Sequence, residues 1–115
     1  MNGTLRAAYE KVIAAAEAAA AARGTERAFD HLARAHILSQ RHTFQHVYVH
    51  WRMLRLGASA CRWQEVFGQA SRIVAAAIFS HIWVPVGNTG RANVSALKPM
   101  PVPWDLKAIL EDGNA

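Results

Sequence analysis

Two histidines four residues apart, His46 and His50, raise the question of chemistry in this chain. Helical side chains at i and i+4 stand one above the other, so both imidazoles can reach a single cation. A wheel at ~100° per residue centres the apolar arc of the segment after Thr43 on His46, His50, Met53 and Gly57, with Tyr48, Arg52 and Arg55 facing away. Both rings therefore fall in the middle of a stripe that should be buried. A ring placed there must hydrogen-bond or coordinate something, because each unpaired buried nitrogen costs on the order of 1 to 3 kcal/mol. A metal site needs a third and usually a fourth ligand. The candidates are His36 on the flank of the preceding helix, His42 just ahead of the next one, and Met53 a turn beyond His50. Imidazoles with a thioether suit copper, whereas imidazoles with Glu17 or Asp30 suit zinc, iron or nickel. The expected cofactor is a transition-metal ion, zinc or copper. The competing reading makes His36, His46 and His50 core residues bonded to carbonyls, carboxylates or water. His31 and His81 read as surface or capping residues.

Other chemistry is poorly supplied. No Gly-x-Ser-x-Gly or catalytic-cysteine context surrounds Ser39, Ser71, Ser80 or Cys61, which argues against acyl transfer. Val86 to Gly90 is glycine-containing but is followed by no Gly-Lys-Ser/Thr, so it reads as a tight turn and not a phosphate loop. A net charge of +5, carried mainly by ten arginines, favours anionic partners. The charge is dispersed instead of forming a basic run, which makes nucleic acid an unlikely partner and leaves at most weak binding through the arginines with Trp51 or Trp63.

The elements that must carry these residues are helices. Leu5, Tyr9, Val12, Ile13 and Ala16 recur at helical spacing and predict a first helix over residues 4–23, stopped by a left-handed Gly24. Thr25 caps a second over 26–39, whose inward stripe is Ala28, Leu32, Ala35 and Ser39. Thr43 caps a third over 43–56, ended by Gly57. The most regular pattern, Trp63, Val66, Phe67, Ala70, Ile73, Val74, Ala77, Ile78 and His81, predicts a fourth over 62–80 with that face inward. Prolines and glycines then predict a cover loop over 82–103, anchored by Trp83, Val84, Val86, Val94, Leu97, Met100 and Val102, before a short helix at 104–110.

These elements make an all-α domain spanning residues 1–115, with 52% hydrophobic and 18% charged residues enough for a core. The first four helices pair as two antiparallel hairpins with small residues at the close approaches, a pattern like tetratricopeptide units, with a plain four-helix bundle as the alternative. No run is long and apolar enough for a membrane span, and Met1 to Thr4 does not open like a signal peptide, so the expected location is the cytoplasm. A single cysteine excludes an internal disulfide; Cys61 is expected to be partly buried.

Two blocks of residues resemble a known family. The first is Ala35-His36-Ile37-Leu38, Gln40, Thr43, His46, His50-Trp51 and Met53. The second is Trp83-Val84-Pro85, Gly87-Asn88-Thr89-Gly90, Asn93-Val94-Ser95 and Lys98-Pro99-Met100-Pro101. Together they resemble a family of small uncharacterised bacterial proteins, a domain of unknown function, over about residues 5 to 110. Two places depart from it: residues 57–62 are smaller and less basic, and Arg91 replaces a usual glycine. The resemblance implies that members are encoded among heavy-metal and other mobile resistance genes, which favours a metal-binding accessory role. The contrasting expectation is a metal-free interaction module with a protein partner or a second copy of the chain as a homodimer.

Overall fold

The computed structural model describes residues 1–79, 91 and 99–113. Within them the chain forms five helices: α1 (Gly3–Ala21), α2 (Thr25–Ser39), α3 (Thr43–Ser59), α4 (Trp63–Phe79) and α5 (Trp104–Gly113). The expected all-α class holds, and no described helix is long and apolar enough to cross a membrane. Most of the expected cover loop, from Trp83 to Leu97 and including the turn at Val86 to Gly90, lies outside the described residues, as does His81.

Each helix starts and stops for a local reason. Asn2 caps α1, its side-chain oxygen accepting the Leu5 N–H at 2.9 Å. At the other end the Gly24 N–H donates to Ala19 O at 2.8 Å and the Arg23 N–H to Ala20 O at 3.0 Å, a paired closure that satisfies the last carbonyls. The connector between α3 and α4 repeats it: the Arg62 N–H donates to Gly57 O at 2.7 Å and the Cys61 N–H to Ala58 O at 3.2 Å. In both, the left-handed position is taken by a non-glycine residue, Arg23 at φ 62° and Cys61 at φ 56°.

Five sequence expectations change here. The left-handed residue is Arg23 and not Gly24, which instead occupies the cap position of α2 with Thr25 as the first helical residue. Likewise His42 holds the cap position of α3 and Thr43 begins it. Gly57 does not end α3. It is buried inside it, where an added Cβ would come within 3.0 Å of the Glu65 Cβ, so glycine serves close helix approach. Cys61 is exposed on its connector.

Helix α2 sits at the centre, packing against α1, α3 and α5, while the largest contacts are α1 with α2 and α3 with α4. Its inward face is wider than the predicted stripe, since Phe29, Ile37 and Leu38 are buried along with Ala28, Leu32, Ala35 and Ser39. One apolar cluster joins Tyr9, Ala16, Phe29, Leu32, Ala35, Val49 and Met53 across three helices. A second joins Leu5, Ile37, Leu38 and Leu106, tying α5 down, with Val102 packed against it. Burying each such large side chain is worth about 1.5–3 kcal/mol. Of the expected loop anchors, Val102 and Met100 are thus partly buried at the described end of that segment.

Helix α4 is the main correction. Its predicted inward residues Trp63, Phe67 and Val74 are 57%, 73% and 60% exposed, whereas Glu65 and Gln69 are buried. Those three face solvent and Val66 and Ile73 are half-buried, while a carboxylate and an amide face α3. The physical reason lies in what α3 presents.

Candidate metal centre

The inward face of α3 is built as expected around His46 and His50, joined by Val49, Met53 and Gly57. His36, in the last turn of α2, points into the same space. The three rings are 3%, 7% and 3% exposed for His36, His46 and His50. His36 packs edge against face on both other rings and His46 and His50 are tilted to each other by 41°, with centroids 4.6–4.9 Å apart. Their Nε2 atoms converge: His46 Nε2 lies 2.9 Å from His36 Nε2 and 3.2 Å from His50 Nε2. One ring nitrogen of each lies within 4.8 Å of the others.

Helix α4 fixes the proton on one of these rings. The Gln69 amide N–H donates to Glu65 Oε2 at 3.2 Å, and since the carboxylate only accepts, the amide is oriented with its Oε1 toward His50. That oxygen lies 2.5 Å from His50 Nδ1, so Nδ1 carries the hydrogen and donates it. His50 Nε2 is left with its lone pair directed at His46. The other Glu65 oxygen accepts from Arg91 Nε at 2.7 Å, and Arg91 lies over the Phe29 ring at 4.1 Å while also reaching Glu26 at 3.7 Å. A relay therefore runs from imidazole to amide to carboxylate to guanidinium. This is why α4 turns Glu65 and Gln69 inward: a buried imidazole N–H needs an acceptor, and the ends of that relay need each other.

Burial holds the pKa of His46 down at about 4, helped by the charge His50 would carry. Burial also holds His50 at about 4, against the Gln69 hydrogen bond that favours its charged form and together with repulsion from Arg72. Both rings are neutral at pH 7, the form that ligates metals. Neutral rings create a shortage of protons. His46 Nε2 faces two Nε2 neighbours, yet a ring nitrogen bears either one hydrogen or one lone pair, so only one of the two close contacts can be a proper hydrogen bond. His46 Nδ1 is buried and meets no hydrogen-bond partner among the described residues. A cation between the rings would engage all three lone pairs at once. Nitrogens held 2.0–2.1 Å from a tetrahedral ion stand about 3.3 Å apart, close to the two separations that His46 makes.

The remaining predicted ligands are elsewhere. His42, at the α3 cap position, is outside this group of converging nitrogens. Met53 is fully buried in the apolar cluster with Tyr9, Phe29 and Leu32. Glu17 pairs with Arg52 at 3.4 Å with its side chain half exposed, and Asp30 is exposed. For His42 and Met53, i, i+4 and i, i+3 spacing to His46 and His50 places them on or beside α3 but not in this group of nitrogens. Sequence reading missed Gln69 and Glu65. The available signal was a polar pair at i and i+4 within an otherwise apolar helix, read as its outer face.

Among known proteins, no curated protein and no solved structure is similar to the chain. Residues 3–110 match the family described as protein of unknown function DUF3703. With nearly its whole length matched, centre included, the chain belongs to that family.

Proposed function

We propose that this protein binds a transition-metal ion, zinc or copper, through Nε2 of His36, His46 and His50, and serves as a small metal-handling accessory in metal resistance or homeostasis. The observation that carries the reading is the close approach of His46 Nε2 to two neighbouring Nε2 atoms that a single proton cannot bridge. Neutral, buried, preorganised nitrogens with a relay behind one of them are the arrangement that metal-ligating histidines require. Elemental analysis of the purified protein and competition titration with zinc and cuprous ions test it. One ion per chain is expected, with affinity falling at least ~10-fold in His36→Ala and further in a His46→Ala, His50→Ala pair. No bound metal and equal weak affinity in all three proteins would end the proposal.

A second reading has its own support. A groove of about 210 Å³ runs between α1, α2 and α3, lined by Ala16, Ala20, Ala28 and Leu32 with Arg52 and Arg55 at its side. Small walls and two guanidinium groups suit an acidic segment of a protein partner, consistent with tetratricopeptide-like hairpins. Binding of such a partner that survives the histidine substitutions would favour this reading.

A further inference from the structure

Three neutral imidazoles bring no negative charge to a metal ion, and no described residue supplies it. The chain has eight Asp and Glu residues. Glu65 comes closest, two hydrogen bonds from His50, but its oxygens are engaged by Gln69 and Arg91. The other seven lie at the surface, exposed or in ion pairs with arginine or lysine. The one thiol, Cys61, is exposed on the α3 to α4 connector. Residues 80–90 and 92–98, outside the described structure, contain no Asp, Glu or Cys in their sequence. The converging ligand atoms among the described residues are three nitrogens and no anion.

The surroundings lean the same way. Arg91 stands at the far end of the relay, on Glu65. A divalent ion taken out of water with only neutral donors carries an uncompensated charge, which a low-dielectric interior penalises heavily. Three-nitrogen protein sites for zinc characteristically leave a fourth position for a non-protein ligand.

Resting on the metal reading above, we propose that this is an open three-nitrogen site whose remaining position takes a small inorganic anion from solution together with the divalent ion. The anion supplies the charge the protein withholds. The site then binds a cation and an anion as a pair, each raising the affinity for the other by the same factor.

Cobalt(II) in place of zinc makes the coordination visible. Protein loaded with one equivalent of cobalt is titrated with azide at constant ionic strength, following the visible ligand-field bands. A saturable change with one azide per cobalt is expected, and tighter cobalt binding in the presence of azide. Stoichiometric cobalt whose bands do not respond to azide would overturn the proposal, showing the fourth position filled by the protein itself. Failure to bind cobalt and zinc at all, seen separately by equilibrium dialysis, would remove the metal reading and this inference with it.

Discussion

Phe29 and Phe67 occupy matching places in the two helical hairpins, each six residues beyond the left-handed residue of its connector, yet one is fully buried and the other 73% exposed. The connectors share the same hydrogen-bond closure, and α2 and α4 begin the same distance after it. The difference comes from neighbours. Helix α2 has α1, α3 and α5 around it, while among the described helices α4 packs extensively only on α3. Where apolar partners surround a helix, its periodicity decides which face goes in. Where the one neighbour presents a buried histidine, the need to satisfy that ring decides, and Trp63, Phe67 and Val74 are left outside.

Acid should separate the two hairpins most strongly. In metal-free protein, His46 and His50 hold pKa values near 4 against an ordinary 6.5, so between those limits the unfolded chain binds more protons than the folded one. Their contribution is complete above pH 6.5 and is lost as pH falls toward 4, on the order of 3 kcal/mol per ring. Urea unfolding at pH 7 and at pH 4.5 measures this, and His50→Gln should remove about half of the drop. A stability curve that is flat over this range would mean the polar half is not as dry as described.

Truncating the matched phenylalanines tests the contrast directly. Phe29→Ala should cost about 3–5 kcal/mol, whereas Phe67→Ala should stay within about 0.5 kcal/mol. Equal losses in thermal or urea unfolding would show that the outer face of α4 is covered in solution. The smallest effect concerns what the hairpins share. Arg23→Gly and Cys61→Gly each relieve a left-handed non-glycine residue and should stabilise by up to ~1 kcal/mol, to a similar extent in both connectors. A gain in only one would show that the two turns are not equivalent.

Most of the fold was legible because helical spacing of Leu5, Tyr9, Leu32, His46 and Met53 is a local signal, and all of these residues are buried. Cap positions slipped by a residue at Thr25 and Thr43, since a threonine suits either the cap or the first turn and only backbone geometry decides. The inward placement of His46 and His50 could be read from one helix alone. The part played by Gln69 could not, because it depends on the angle at which a different helix meets them. Met53 and His42 lie apart from the converging nitrogens for the complementary reason: adjacency along a helix says nothing about which neighbour a side chain packs against.

That meeting angle is set at Gly57. Where α4 begins, it presses on α3 so closely that the Glu65 Cβ has no room for another carbon opposite it. His50 lies two turns away, about 10 Å along the axis. Gly57 thus acts as a fulcrum: with the near end pinned, a swing of about 6° at the pivot carries the far end by about 1 Å over that arm, enough to part Gln69 from His50. A displacement of α4 about this contact is therefore expected to act on the Gln69–His50 hydrogen bond.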